Sequence, residues 1–427
     1  MATALCIFYF IVLTYLGFKF LYTPRTRLRI PFQKHNYMLC NGSETLLIFI
    51  FGTGLIGLIP VLSLRLGVLE LLCILGIQRS KNRVIWSWPL KLYVVFLLWE
   101  IIGCLYTPSV EFGVRMILKY SYSLLLALFA SSVVRDWLVL LKSLTLARWV
   151  AAFTIFIYFI PIFLPLFPGV FWNKAALVTH YITMSVMSLA LYFASNQKKN
   201  LLFFILFSLP CFLWVFRTDI MGLIVALSAF ALIKYRLKAV PVILLLGVLS
   251  VAALFYIPSL KAKMYFRPDE VTLSDFLTGN VDENNINTSG RGPVWEDCKE
   301  WFYKDHELIG SGTGRVQKYM YTEATGFRRG GQIHNDFLVL MCDNGLVGLS
   351  LYLLSVISVF VHCIYIYHKK YYPSYIRLGA IIAGSSLLGV VITMYSDNTL
   401  SYSMATLSYP WGLYGMTLGL IKALKKR

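Results

Sequence analysis

A histidine and an asparagine, His334-Asn335, close a long polar loop and lead straight into the apolar run Phe337–Met341. Gly330-Gly331 precede them, and two arginines, Arg328 and Arg329, stand just upstream. A neutral imidazole at such an edge can take a proton from an attacking hydroxyl. Nearby arginines and the positive end of the following helix would favour that neutral form. A bland reading fits the same placement: a histidine that precedes a helix cap, with Asn335 or Asp336 as the N-cap.

Four cations stand at unusual places. Arg115 and Lys119 lie inside the apolar run 112–134, four residues apart and so on one helix face. Arg217 sits at the junction of two apolar runs in Phe216-Arg-Thr-Asp219, and Arg291 follows Gly290 in the long loop. A cation at mid-membrane costs about 2.5–3.5 kcal/mol on insertion scales. None of the four has an evident acidic partner at helical spacing, apart from Asp219 beside Arg217. Snorkelling to the interface would account for Lys119 as well as function would. For Arg115 and Arg217 the favoured reading is an anion cradle near one leaflet. Arginine suits phosphate because its planar fork binds at two points.

The elements that must hold these residues are helices. The chain has 427 residues, of which 58% are hydrophobic and only 14% charged, against about 25% charged in ordinary soluble domains. Thirteen apolar runs fall near 3–22, 45–61, 62–78, 84–103, 112–134, 148–167, 176–194, 201–216, 218–233, 239–257, 337–366, 377–395 and 404–421. Most approach the roughly 20 residues needed to cross a bilayer. Their continuity, without alternation, excludes a β-barrel. The expected fold is therefore an all-α integral membrane protein with about 12–13 transmembrane helices and one large extracytoplasmic loop. The pair at 45–78 reads as a tight hairpin around Pro60 or as one broken element. The first run lacks a positive flank and a cleavage site, so it reads as a retained span.

The net charge of +19 lies largely in short basic loops such as Arg79–Arg83, Lys234–Lys238 and His368–Lys370, and in the tail Lys425–Arg427. This is the pattern of cytoplasmic loops and not of a nucleic-acid surface. Placing the tail inside puts every basic loop inside and the long loop outside. Three parts follow: bundle helices over 1–257, a loop with short helices over 258–336, and bundle helices over 337–427. The loop is too long for a mere connection, so a small cap is expected, with its clearest helix at Trp295–Tyr303 and its loosest part at Asp282–Ser289. Asn344-Gly345 should break the helix that follows it.

Other chemistry is weakly signalled. Gly310-Ser-Gly-Thr-Gly314 lacks the GK[ST] of a nucleotide-binding loop and reads as a tight turn. Glu100 and Glu111 flank a short loop and give only a faint hint of a divalent ion. The eight scattered cysteines form no zinc pattern, and no metal or other cofactor is expected.

Taken together, three segments resemble the O-antigen ligase/O-antigen polymerase superfamily of bacterial membrane glycosyltransferases. They are Phe216-Arg-Thr between two spans, Ser289-Gly-Arg-Gly-Pro-Val-Trp295 in the long loop, and Gly310–Gly314 followed by His334-Asn335, Leu338, Gly345 and Gly348. The resemblance covers roughly residues 210–366. It implies a GT-C-like enzyme of the inner membrane, with its active site facing the periplasm. Such an enzyme moves a glycan from an undecaprenyl-diphosphate carrier to a sugar hydroxyl, without metal or nucleotide. By motif, Arg217 and Arg291 become diphosphate ligands and His334 the base. Arg115 joins them on burial grounds, with Lys119, Asn335, Arg328 and Arg329 in support.

Direct displacement at the anomeric carbon would invert it. The expected partners are an undecaprenyl-diphosphate-linked oligosaccharide, an acceptor glycan (a lipid-linked chain or a lipid A core) and membrane lipids, with no nucleic acid. The compact loop leans toward a polymerase over a ligase that loads lipid A core. A transporter or flippase of anionic lipid-linked saccharides would use the same cations, but along a full path and not at one face.

Overall fold

The computed structural model describes residues 2–30, 36–80, 83–159, 173–282, 285–324 and 332–425. A helix lies on each of the thirteen apolar runs, the run 148–167 being described only to residue 159: α1 (Ala2–Tyr22), α2 (Gly42–Thr53), α3 (Leu62–Arg79), α4 (Trp88–Gly103), α5 (Val110–Val133), α6 (Trp137–Phe159), α7 (Lys174–Ser195), α8 (Lys198–Leu213), α9 (Arg217–Tyr235), α10 (Val240–Tyr256), α15 (Asp336–His368), α16 (Ser374–Ile392) and α17 (Ser408–Lys425). Four short helices lie between α10 and α15: α11 (Pro258–Met264), α12 (Leu273–Thr278), α13 (Gly292–Cys298) and α14 (Arg315–Lys318). The expected all-α integral membrane fold is what the chain adopts.

The span count needs refinement. Eight described segments are long and apolar enough to cross a membrane, and one of these, Arg217–Tyr256, comprises both α9 and α10. The other runs form shorter or more polar helices. α2 has 12 residues and reaches only about 18 Å. The 45–78 pair is a hairpin: the Ser43 hydroxyl reaches the Gly76 carbonyl at 3.3 Å, and Arg65 reaches the Thr53 carbonyl at 3.3 Å. α2 and α3 therefore run antiparallel. The basic stretch Arg25–Arg29 is not a bare loop. It pairs with Tyr37–Asn41 as a two-stranded antiparallel ribbon, β1–β2. The alternation Arg-Thr-Arg-Leu-Arg puts all three arginines on one exposed face.

Close helix contact brings the chemistry together. α9 packs on α16 through small residues, and a Cβ at Gly222 would sit 2.7 Å from the Gly389 carbonyl oxygen. The start of α9 is thereby held beside the segment that follows α16. At the bundle centre, Tyr93 packs on Phe96 and Trp411 at ring distances of 5.5 and 4.6 Å. The cap has a second, smaller core built from Val294, Cys298, Phe302, Val316, Met320, Ile333, Leu338 and Cys342.

α15 breaks at Gly345, whose φ of 66° is left-handed. A break inside a bundle leaves helix-end groups that need partners. Here they find them. Before the break, the Cys342 carbonyl accepts from the Ser311 N–H at 2.8 Å and the Asp343 carbonyl from the Gly312 N–H at 2.9 Å. The Asn344 carbonyl accepts from the Trp99 indole at 2.9 Å. After it, the Leu346 N–H donates to the Glu307 carbonyl at 2.8 Å. The Asp343 carboxylate takes the N–H groups of Gly314 and Val316 at 2.8 and 3.0 Å. The turn Gly310–Gly314 is thus the plug of a broken helix. Gly345→Ala should be severely destabilising. A Cβ there would lie 2.2 Å from the Leu308 carbonyl oxygen, on top of a left-handed conformation that alone costs about 1–3 kcal/mol. Thermal unfolding of the purified variant checks this: a midpoint equal to wild type would contradict the plug.

Candidate functional site

Three consecutive residues after α16, Ser396-Asp397-Asn398, gather the candidate residues. The Ser396 carbonyl accepts from Arg291, and its hydroxyl bonds to that of Thr218, the neighbour of Arg217. Asp397 Oδ1 lies 3.5 Å from His334 Nδ1. Asn398 holds His334 at two points. Its Oδ1 accepts from the His334 backbone N–H at 3.0 Å, and its Nδ2 donates to Nδ1 at 2.7 Å. Arg217, Arg291 and His334, far apart in the chain, therefore meet around one short segment.

His334 needs that clamp, since its φ of 54° is left-handed and strained for a non-glycine residue. A second brace comes from Trp295, whose indole donates to the Ile333 carbonyl at 2.7 Å. The bonding also sets the tautomer. The backbone bond fixes which end of the Asn398 amide faces His334, so Nδ1 is an acceptor and the ring proton sits on Nε2. In this state Nε2 is a donor. For Nε2 to take a proton, Nδ1 must carry one, and Asp397 Oδ1 is the carboxylate next to it. That tautomer is reached by losing the Nε2 proton to water and taking one from water at Nδ1, and a ring turned from Asn398 toward Asp397 would hold the new Nδ1–H against the carboxylate. The ring is 36% exposed, so a substrate can reach it.

Arg217 is a clamp as well as a charge. It donates to the Lys263 and Asn287 carbonyls at 2.9 and 2.7 Å and to the Ser289 hydroxyl at 3.0 Å. Asn287 and Ser289 belong to the stretch expected to be loosest, and these bonds tie it down; residues 283–284 of that stretch lie outside the described residues. Arg291 stands close enough to Arg217 for the two charges to repel. Burial pulls the Arg291 guanidinium below its usual range, and the Asp397 carboxylate opposes the shift. Lys263 adds a third cation, with Nζ donating to the Val215 carbonyl at 2.8 Å. Burial, then Arg217 and Lys174, hold it below the ordinary lysine range. The cations Lys174, Lys263, Arg217 and Arg291 thus line one region.

Other sequence candidates separate from this group. Arg115 pairs with Glu111 one turn earlier and lies 5.0 Å from the Phe112 ring centroid. The expectation that it lacks an acidic partner is corrected, because Glu111 stands at i−4. Asp219 does not pair with Arg217 either; it is buried and accepts from the Thr179 hydroxyl at 2.7 Å. Lys119 lines a small cavity behind the histidine with Asp336 and Asn398. Asn335 caps α15, its Oδ1 accepting from the Leu338 N–H at 2.9 Å. Arg328 and Arg329 lie outside the described residues. Glu100 is fully buried while Glu111 is exposed, so the two do not form a pair.

The segment 396–398 was not among the sequence candidates, although a signal existed. Asp397 is the sole acidic residue after Asp343, and it stands where an apolar run ends.

Fold and site define a multi-pass α-helical membrane protein with a histidine set among clustered arginines at the cap end of its bundle. Residues 183–353 match the family model described as O-antigen ligase. The matched stretch includes Arg217, Arg291 and His334 and stops short of 396–398, and it supports the superfamily resemblance carried by the sequence motifs. No curated protein matches the chain.

Proposed function

We propose that this protein is a glycosyltransferase of surface-polysaccharide assembly. It moves a glycan from an undecaprenyl-diphosphate carrier to a sugar hydroxyl at the periplasmic face of the inner membrane. The observation that carries this reading is the meeting of Arg217, Arg291 and His334 around Ser396–Asn398. Arg291 and Arg217 balance negative charge building on the leaving diphosphate. His334, with Nδ1–H turned to Asp397, takes the acceptor proton at Nε2 as the hydroxyl attacks the anomeric carbon and the carbon–oxygen bond to the diphosphate breaks. Attack opposite the leaving group inverts that carbon.

An apolar groove supports a lipid-linked donor. A cavity of about 410 Å³ runs between α9 and α10, walled by residues such as Ile220, Ile224, Leu249 and Leu254, and Arg217 stands in its lining. An isoprenoid tail in this groove would place its diphosphate at the cations. The family description and the cation cluster both accommodate a polymerase or a ligase. The Gly310–Gly314 turn bears on neither, because it serves the helix break.

The test is reconstitution in liposomes with a lipid-linked oligosaccharide, offering lipid-linked and lipid A core acceptors separately and reading products on a gel. Glycan transferred to one of the two acceptors is the expected result, and a ladder on the lipid-linked one would make it a polymerase. Product on core alone would make it a ligase. Movement of the intact donor across the bilayer without transfer would replace the reading with a transporter.

A further inference from the structure

The opposite end of the bundle carries a second cavity that the proposed chemistry does not use. It measures about 270 Å³ and lies where four helix ends converge. Its walls come from the last turns of α7 (Phe193, Ala194), α9 (Phe230, Lys234) and α15 (Tyr367), and from the first turn of α16 (Ser374, Arg377). The basic loops Lys234–Lys238 and His368–Lys370 are at this end.

Two features set the cavity apart from an ordinary basic rim. First, no carboxylate stands in its lining, and no Asp or Glu occurs in residues 137–218, 220–268 or 344–396, the stretches that build the four walls. Second, Arg377 Nε is buried with no hydrogen-bond partner. A buried guanidinium N–H without an acceptor is costly, and a ligand oxygen would satisfy it. Lys234 cannot serve, being a donor itself. Its ammonium rests 3.0 Å from the Phe193 ring centroid, with the Tyr235 and Phe230 rings at 5.0 and 6.0 Å, contacts that use its charge but none of its hydrogen-bond donors on an oxygen. Phe193 is 51% exposed, so an apolar ring stands at the protein surface beside the cavity. Ser374 begins α16 there, and that helix start has no side-chain cap.

The geometry points to a site for the phosphodiester headgroup of an anionic membrane lipid, held by Lys234 and Arg377, with the acyl chains running down the apolar flank. The polarity of the walls matches such a molecule: cations at the mouth, and Phe230, Leu378 and Ile381 below. Setting orientation requires only positive charge in the loops. It requires neither a cavity between four helices nor a buried unsatisfied nitrogen.

The test measures lipid binding by the purified full chain in detergent. Thermal unfolding is followed with added dioleoyl-phosphatidylglycerol, dioleoyl-phosphatidylcholine or inorganic phosphate, and retained lipid is read by native mass spectrometry. Two cations facing one headgroup predict roughly a tenfold or greater preference for the anionic lipid. The double variant Lys234→Gln/Arg377→Gln should lose that preference and keep whatever transfer activity the wild type shows. Equal protection by the zwitterionic lipid would overturn the proposal, as would protection by phosphate alone matching that of the anionic lipid. The comparison of lipids on wild type stands even if the double variant fails to fold. It is also independent of the chemistry at the far end of the bundle.

Discussion

His334→Ala should reduce glycan transfer by about two to four orders of magnitude, the usual contribution of a positioned general base. Its thermal stability should change little, because the imidazole is partly exposed and its bonds run to Asn398, which the backbone N–H of residue 334 still holds. The two readouts together matter. Loss of transfer with an unchanged unfolding midpoint assigns the ring to chemistry. Loss of both would make it a structural brace, and retained transfer would remove it from the mechanism. The same geometry says why the ring cannot act from its resting state, in which Nδ1 accepts from Asn398 at 2.7 Å and the proton is on Nε2. In the proposed mechanism Asp397 would act on the histidine, by holding Nδ1–H, and not by touching substrate.

The second large effect is expected at the two arginines, and it should differ between them. Arg291 makes one described side-chain hydrogen bond, to the Ser396 carbonyl, and its other donors are available to a diphosphate. Arg291→Ala should lower transfer by about a hundred- to a thousandfold, as removal of one preorganised donor does elsewhere, with little change in stability. Arg217 commits three of its five N–H donors to Lys263, Asn287 and Ser289. Arg217→Ala should therefore lower transfer and also loosen the cap, by about 3 kcal/mol or more for three bonds to a charged group. Lysine cannot reproduce that fork at either position. Parallel transfer assays and unfolding curves separate the cases. An Arg291 variant that unfolds as readily as the Arg217 variant would contradict the division of labour.

Much of this was legible in the chain because a membrane makes chemistry conspicuous. An arginine or a histidine at the border of an apolar run stands out, as Arg217 and His334 do, whereas Arg291 is marked by Gly290 before it and by the resemblance of Ser289–Trp295. The helices were equally plain, since a helix lies on each continuous run, the one at 337–366 breaking at Gly345 as its Asn-Gly pair predicts. What escaped were relations between distant segments. Asp397 and Asn398 follow the end of a run, and only the packing of α9 on α16 through Gly222 and Gly389 shows that this end faces Arg217. Burial logic fails for Arg115 because helix α5 starts at Val110 and so takes in Glu111, which pairs with an Arg115 side chain that is 43% exposed. The Gly310–Gly314 turn suggested a loop preference between acceptors, yet its contacts lie with Cys342 and Asp343 at the break in α15. The ribbon at Arg25–Arg29 was hidden by its charge, because period-two alternation over five residues is a short signal.

The most direct measurement is a structure of the protein bound to undecaprenyl diphosphate in a lipid nanodisc. Density for the diphosphate should lie within hydrogen-bonding distance of Arg291 and Arg217, with the isoprenoid tail between α9 and α10 and Nε2 of His334 facing the donor. A diphosphate bound away from Ser396–Asn398, or a tail leaving the bundle on another side, would contradict the account.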